Sequence, residues 1–204
     1  LPLVGHFQAT NALMAVGLVI GCGGEADQAF KALSYLRPVR GRMEQVGRHF
    51  SGARVYVDFA HTPDALETVL RALKAHVRGN LVVVFGCGGD RDKAKRKIMG
   101  EIARTCASRI YVTDDNPRSE VPADIRAQIM QGCPEAYNVG DRAKAIQMAV
   151  SGLEVGDILL VAGKGHEQGQ TIGDQVIDFD DASVVRSAIA SIDQKETEHK
   201  RKVN

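Results

Sequence analysis

The first forty residues carry apolar side chains at helical spacing. Four apolar positions in residues 8–20 fall on one side of a helix, and the glycines of 21–24 end it. A second helix is predicted over residues 26–36, because Pro38 stops the pattern there. Two short helices bury little apolar surface, so we expect residues 1–40 to pack on a neighbouring domain or to be mobile.

From Gly41 onward, strand-like and helix-like segments alternate. The predicted strands are residues 54–59, 81–85, 109–113, 136–139 and 157–162, and the predicted helices are residues 63–77, 92–107, 122–131, 142–153 and 181–192. Two of the strands are continuous apolar runs, as in strands that are buried on both faces. Gly173-Asp174 predicts a hairpin of residues 170–172 and 175–177, and the charged tail 193–204 is expected to be disordered.

Strands that alternate with helices predict an α/β fold with a Rossmann-like, doubly wound and mostly parallel sheet. We expect the hairpin to add an antiparallel edge and the first forty residues to precede the sheet as a helical remnant. Ligands of such sheets bind beyond the carboxyl ends of the strands. Four polar motifs directly follow predicted strands: residues 58–61 (DFAH), 86–91 (GCGGDR), 114–118 (DDNPR) and 163–167 (GKGHE). They are therefore expected to meet at one edge of the sheet.

Composition excludes several classes of protein. The 204 residues carry a net charge of +1, which gives no reason to expect nucleic acid or an anionic membrane as a partner. The longest apolar stretch, residues 12–20, is too short to span a bilayer. No CxxC pair occurs, and scattered thiols favour a reducing cytoplasm. The chain starts at Leu1 without an initiator methionine, so we expect that upstream residues were removed.

The glycine-rich motif does not match the standard nucleotide-binding patterns. Arg91 stands where a dinucleotide site would have its third glycine, and Gly165 stands where a Walker A loop would have Ser or Thr. The chain therefore has no recognisable phosphate-binding loop for splitting ATP. Residues 86–89 suit either an anion at a helix start or a simple tight turn.

The DDNPR turn suits a ligand that has both an amino and a carboxyl group. Pro117 fixes the turn, Arg118 can hold a carboxylate with two parallel hydrogen bonds, and Asp115 can accept from an ammonium group. A simple ion pair between Asp115 and Arg118 is the alternative interpretation. Glu167 offers a second ammonium acceptor.

Lys164 and His166, in the same motif as Glu167, are left out of the predicted site. A lysine in a glycine turn is usually solvated, and a single histidine is usually structural.

Five sequence motifs, in the same order along the chain, resemble those of the Mur ligase family. The resemblance is to the branch of that family that adds meso-diaminopimelate to UDP-N-acetylmuramoyl-L-alanyl-D-glutamate. The five motifs are GRME at 41–44, DFAHTPD at 58–64, FGCGGDRDK at 85–93, TDDNPR at 113–118 and VAGKGHE at 161–167. The resemblance covers residues 1–192. It implies that residues 1–40 end a central ATP-binding domain and that residues 41–192 form a C-terminal Rossmann-like domain, followed by the tail 193–204.

The resemblance implies ATP-dependent amide formation through an acyl phosphate, with Mg²⁺ bridging the phosphates. ATP, meso-diaminopimelate and the UDP-linked dipeptide are the implied partners, without nucleic acid or membrane insertion. The implied role is cytoplasmic peptidoglycan synthesis, and through it cell shape and division. The phosphate loop, the magnesium ligands and the catalytic lysine are expected upstream of Leu1, so no catalytic residue and no metal ligand is expected in this chain.

The resemblance also implies two groups of binding residues. The implied diaminopimelate pocket consists of Arg91, Asp115, Asn116, Pro117, Arg118, Gly163 and Glu167. The implied ATP contacts are Asn11, Arg42, Asp58 and His61. Gln8 stands where the family's motif has Asn. The longer side chain of Gln8 moves the amide by one methylene.

Two other functions remain as alternatives. One is a sibling ligase that adds lysine to the same precursor, whose turn lacks the arginine that Arg118 supplies here. The other is a ligand-binding or dinucleotide domain without catalytic activity, which the residue at position 91 argues against. Diaminopimelate differs from lysine by one carboxylate, so we expect Arg118 to hold that group and to set the preference between the two.

Overall fold

The computed structural model describes the backbone of residues 1–203 and the side chains of residues 1–194. It divides the chain into two compact units, Leu1–Val39 and Arg40 onward. Within the described residues, no helix combines the length and the apolar character needed to cross a membrane.

The first unit consists of two α-helices and one turn of 3₁₀-helix. They are α1 (His6–Gly21), α2 (Ala26–Ala32) and the 3₁₀ turn Leu33–Tyr35. Only Ala12 and Val16 of α1 are buried. Several large apolar side chains of the unit are exposed instead: Leu13, Met14, Leu18, Val19, Ile20, Phe30, Tyr35, Leu36 and Val39. This unit has almost no core of its own.

The second unit is a three-layer α/β structure. Its strands are β1 (Glu44–Arg48), β2 (Arg54–Asp58), β3 (Leu81–Phe85), β4 (Arg109–Val112), β5 (Tyr137–Asn138), β6 (Ile158–Ala162), β7 (Gly169–Ile172) and β8 (Gln175–Asp178). Its helices are α3 (Pro63–Lys74), α4 (Lys95–Cys106), α5 (Pro122–Met130), α6 (Arg142–Ser151) and α7 (Asp181–Val203).

The main sheet has the strand order β1-β2-β6-β3-β4-β5, and β2 to β5 in that order are parallel. The chain moves from β2 across to β3, β4 and β5, and then returns to place β6 between β2 and β3. Helices α3, α4 and α5 pack together on one face, whereas α6 and α7 pack on the other. The predicted doubly wound fold is confirmed.

Side chains along the central strands point alternately to the two faces of the sheet, and those on one face form part of the core. Val55, Val57, Val82 and Leu159 belong to the buried cluster shared with α6 and α7. Their neighbours along the strands point to the opposite face, as the period of two requires. Strands β3 and β6 are buried at every position, which explains their continuous apolar sequence.

The antiparallel edge is formed by a strand that the sequence pattern does not predict. β1 pairs antiparallel with β2 at this edge, whereas the predicted hairpin is present as the separate two-stranded antiparallel sheet β7–β8. β1 has only one buried residue, Val46, and a register shift between Gln45 and Gly47. A half-covered edge strand with a bulge lacks the apolar run that would reveal it.

The last helix is longer than predicted. α7 continues to Val203, so the backbone of residues 193–203 is helical, while Asn204 lies outside the described residues. Glu, Lys and Arg, which dominate this stretch, favour helix, and extending an existing helix costs less than starting one.

Candidate functional site

A cleft of about 420 Å³ opens at the carboxyl edge of the parallel strands. Its lining residues come from the loops after β2, β3, β4 and β6: Phe59, His61, Thr62, Pro63, Gly86, Cys87, Gly88, Arg91, Asp92, Lys95, Asp115, Asn116, Arg118, Gly163 and Glu167. All four motifs predicted to meet at one edge of the sheet therefore line one cleft.

Glycines let these loops approach each other closely. A methyl group at Gly86 would collide with the Thr113 carbonyl oxygen, and one at Gly89 would collide with the Pro117 carbonyl oxygen. The Gly89 amide donates a hydrogen bond to the Asn116 carbonyl oxygen at 2.9 Å. The glycine-rich loop after β3 is therefore packed directly on the DDNPR turn.

The backbone of Arg118 is held in an uncommon conformation by the β7–β8 hairpin. Its φ is +52°, its amide donates to the Thr171 carbonyl oxygen at 3.1 Å, and its carbonyl oxygen accepts from the Gly173 amide at 2.8 Å. In the side chain, Nη1 donates to the Gly89 carbonyl oxygen at 2.8 Å. Within the described residues, Nε and Nη2 bond no acceptor, so half of the guanidinium fork is left for a ligand at the cleft.

Asp115 lies at the base of the cleft beside Gly163. Its side chain is largely buried, and a methyl group at Gly163 would lie 2.7 Å from its Oδ2. Gly163 has a φ of +117°, which side-chain-bearing residues rarely adopt. In the part of the chain that the structure describes, no side-chain donor bonds the Asp115 carboxylate. Asp115 and Arg118 also form no ion pair with each other, against the alternative interpretation of the turn.

Glu167 and Asn116 are joined across the cleft wall. Asn116 Nδ2 donates to Glu167 Oε2 at 3.0 Å, and Lys164 Nζ donates to Asn116 Oδ1 at 2.7 Å. Asp115, Glu167 and the free side of Arg118 thus place two carboxylates and one guanidinium around the same space. That set of charges can bind an ammonium group and a carboxylate at once.

The four residues expected to contact ATP do not all line this cleft. Arg42 lies over the Phe59 ring at 4.4 Å, and the His61 ring meets the same ring edge-on at 4.5 Å. Asp58 is buried, and its two oxygens accept from the Met43 amide at 2.7 Å and the Ala60 amide at 2.8 Å. Burial raises the pKa of Asp58, against the lowering effect of those two amides. Asn11 lies on α1 in the first unit.

Comparison with known proteins identifies the family. A family model described as "Mur ligase, glutamate ligase domain" matches residues 41–165. The chain belongs to the Mur ligase family.

A curated relative from Chelativorans sp., named UDP-N-acetylmuramoyl-L-alanyl-D-glutamate–2,6-diaminopimelate ligase, is 55% identical over 189 residues. That alignment covers 93% of this chain and 39% of the relative. The chain thus spans about two fifths of the length of the curated relatives that it matches.

Solved structures agree with this assignment. A structure with the same ligase name has a TM-score of 0.74 and 40% identity, and the match covers 93% of this chain and 39% of that one. UDP-N-acetylmuramate–alanine ligase from Thermotoga maritima matches with a TM-score of 0.68 at 20% identity, over 94% of this chain and 39% of that one. The second match shows the fold alone.

Six of the seven predicted pocket residues of this Mur ligase chain line the cleft. They are Arg91, Asp115, Asn116, Arg118, Gly163 and Glu167. Pro117 is buried and does not line it, because its part in the turn is to pack its carbonyl group against Gly89. Of the four predicted ATP contacts, only His61 lines the cleft.

Three buried lysine and arginine residues were missed by the sequence interpretation: Lys164, Arg142 and Arg96. Lys164, dismissed as solvated, is completely buried. Arg142 on α6 is also buried; it donates to both oxygens of Asp181 at 2.7 Å and to the Ala162 carbonyl oxygen at 2.9 Å. Burial lowers the pKa of Arg142, but the carboxylates of Asp181 and Asp115 outweigh it and raise the pKa. For Lys164 and Arg142, the only signal in the sequence was the position of each residue beside a strand end.

Hydrogen bonds outside the cleft also hold the DDNPR turn of the Mur ligase domain in place. Arg96, which is buried, holds both oxygens of Glu120 at 2.9 Å. The side-chain hydrogen bond from Arg96 lowers the pKa of Glu120 to about 2. Asp90, with φ +54°, accepts from the Ser119 hydroxyl at 2.6 Å. These bonds fix the glycine-rich loop and the turn to each other from outside the cleft.

Proposed function

We propose that this chain is the C-terminal part of an ATP-dependent ligase that joins meso-diaminopimelate to UDP-N-acetylmuramoyl-L-alanyl-D-glutamate. One observation carries the proposal: the half-free guanidinium of Arg118 and the carboxylates of Asp115 and Glu167 line one cleft. The name of the 55% identical relative supports the same substrate.

In the proposed complex, Arg118 receives the carboxylate at the far end of diaminopimelate through its free Nε and Nη2. Asp115 and Glu167 receive the neighbouring ammonium group, and Arg91, which is exposed on the adjacent loop, reaches another carboxylate. The amino group at the other end of the ligand then attacks the acyl phosphate of the dipeptide. A carbon–nitrogen bond forms, the carbon–oxygen bond to phosphate breaks and phosphate leaves, and the neutral attacking amine loses one proton and keeps the other as the amide N–H.

Lysine is the main competing substrate, and the cleft disfavours it. Lysine would leave the free side of Arg118 without an anion, and loss of one charge-assisted hydrogen bond costs about 1.5–3 kcal/mol. That corresponds to a preference of roughly tenfold to a hundredfold for diaminopimelate.

We propose that ATP approaches along the Phe59 side of the cleft. Arg42 and His61 both lie against that ring, which supports their predicted role. Asp58 has each oxygen engaged by one backbone amide, so it can offer only its remaining lone pairs to a ribose. The described residues contain no cluster of three or more His, Cys, Asp or Glu that suits a metal ion. No step of the proposed reaction is assigned to magnesium.

We further propose that the first unit, Leu1–Val39, ends the central ATP-binding domain of a longer cytoplasmic ligase. Its exposed apolar side chains support this, because two buried residues cannot stabilise a separate fold. The segment from Arg40 is then the C-terminal domain. Hydrogen exchange of the excised residues 1–40 should show little protection, and strong protection would contradict this assignment.

The proposal is tested by titrating the chain with meso-diaminopimelate, L-lysine and NAD in a calorimeter. We expect binding of diaminopimelate, weaker binding of lysine and none of NAD, together with no ligase turnover by the 204-residue chain alone. Preference for lysine would favour the sibling ligase, and binding of NAD alone would favour a dinucleotide domain. The longer ligase should turn over diaminopimelate with ATP.

A further inference from the structure

Lys164 lies in the wall of the cleft and is 0% exposed. A buried ammonium group must be hydrogen-bonded, because an isolated charge is costly away from water. Its Nζ donates to Asn116 Oδ1 at 2.7 Å and to the Gly169 carbonyl oxygen at 2.7 Å, and it lies 3.7 Å from Glu167 Oε2. Lys164 therefore joins the turn after β4, its own loop after β6 and the start of the hairpin.

These bonds determine the orientation of the Asn116 amide. Asn116 Oδ1 accepts from Lys164 Nζ and from the Thr171 amide at 3.0 Å. Both partners are donors only, so the side-chain oxygen must face them. The Nδ2 group must then face the opposite way, and there it donates to Glu167 Oε2 at 3.0 Å.

The position of Glu167 depends on this arrangement. Its side chain is 38% exposed at the cleft and has one oxygen, Oε2, held by Asn116 and approached by Lys164. The other oxygen, Oε1, has no bond to the chain within the described residues and is free for a ligand. An unheld glutamate with this exposure would sample several rotamers, and a ligand would have to restrict them on binding.

We propose that Lys164 is a positioning residue for substrate specificity: through Asn116, it fixes the Glu167 carboxylate where the ammonium group of the amino-acid substrate binds. This inference rests on the proposed function. Lys164 itself does not touch the substrate, since its amine is enclosed by the chain.

Lys164→Met in the full-length ligase tests the proposal. It removes the donor to Asn116 and keeps much of the side-chain volume. We expect KM for diaminopimelate to rise about tenfold, as loss of one such bond implies, while KM for ATP and kcat change less than about twofold. Lys144→Met is the matched control, because Lys144 is exposed on α6. Equal changes in both KM values, or none, would overturn the proposal.

A double-mutant cycle with Glu167→Gln separates positioning from general stability. If Lys164 acts through Glu167, Lys164→Met should add less than about twofold to KM for diaminopimelate in the Glu167→Gln background. Addition of the full tenfold effect would show that Lys164 acts elsewhere and would refute the proposal.

Asn116→Asp decides the matter if Lys164→Met does not fold. The aspartate keeps the two bonds from Lys164 and Thr171 but has no N–H for Glu167, so KM for diaminopimelate should rise by a similar factor. An unchanged KM would overturn the proposal. Failure of the proposed function looks different, because the wild-type ligase would then lack diaminopimelate-dependent turnover.

Discussion

The two ends of the main sheet both have hollows, but among the described residues only the hollow at the carboxyl ends is lined by carboxylate oxygens that do not bond the chain. The hollow at the amino ends of the strands has a volume of about 600 Å³, compared with about 420 Å³ for the cleft at the carboxyl ends. In the larger hollow the lining carboxylate, Asp157, already bonds the chain at both of its oxygens. Asp157 accepts from the Asn80 amide at 2.6 Å, from the Glu154 amide at 3.1 Å and from Arg109 Nη2 at 2.6 Å.

The cleft at the carboxyl ends differs in what it leaves unbonded. Arg118 keeps half of its guanidinium free, and Glu167 keeps one oxygen free, although the residues behind them are tightly bonded. Volume alone would favour the amino end of the sheet. The candidate site is distinguished by carboxylate oxygens and half of a guanidinium that face one cleft without bonding the chain, and four predictions test that contrast.

The largest expected effect is on stability, at the amino-end hollow. Asp157→Ala removes a buried carboxylate and leaves Arg109 and two backbone amides without their acceptor. We expect a loss of about 3 kcal/mol in the free energy of unfolding, measured by urea denaturation of the chain. Diaminopimelate affinity of the folded fraction should stay within about twofold. A large loss of affinity with unchanged stability would reverse the assignment of the two ends.

Arg118→Ala should have the largest effect on function. In the full-length ligase, loss of a charge-assisted carboxylate contact of about 1.5–3 kcal/mol should lower kcat/KM for diaminopimelate by roughly tenfold to a hundredfold. The preference over lysine should narrow at the same time. Arg78→Ala, at the exposed rim of the other hollow, is the matched control and should change neither value. A variant at position 118 that keeps both the rate and the preference would refute the pocket.

Substitution of one positive-φ glycine at each end of the sheet gives a smaller test of the same contrast. Gly163 has φ +117° and faces Asp115, whereas Gly52 has φ +89° and open space around it. Alanine at either position should cost about 1–3 kcal/mol of stability through backbone strain. Only Gly163→Ala should also weaken diaminopimelate binding, because its methyl group displaces the Asp115 carboxylate. Calorimetric titration of both variants checks this, and equal affinities would count against the role of Asp115.

The smallest effect concerns pH and the support behind the cleft. Arg96 holds the pKa of Glu120 at about 2, below its ordinary value of 4.5. Because the pKa is lowered on folding, Glu120 stabilises the fold above about pH 4.5, and this contribution is lost as the pH falls towards 2. The stability gap between the wild type and Glu120→Gln should therefore be constant above pH 5 and narrow below it. A gap that persists unchanged to pH 2 in urea titrations would contradict the prediction.

The sequence predicted the parallel part of the fold well. Strand β3 was predicted with its observed bounds, Leu81–Phe85, because a strand buried on both faces is apolar throughout. The edge strand β1 was missed because Val46 is its only buried residue. Helix α4 begins at Lys95 and not at residue 92, since Asp92 Oδ1 accepts from the Ala94 amide in the preceding turn.

The sequence by itself determined which polar motifs meet, because parallel strands bring the loops at their carboxyl ends to one edge. It also indicated the type of ligand through Asp115, Arg118 and Glu167, whose charges are properties of the residues alone. Only the tertiary structure decided which groups are free. Lys164 is buried, and Asp58 is bonded by two backbone amides, because segments distant in sequence supply their partners. Burial and hydrogen-bond partners depend on these long-range contacts, which no local pattern of residues records.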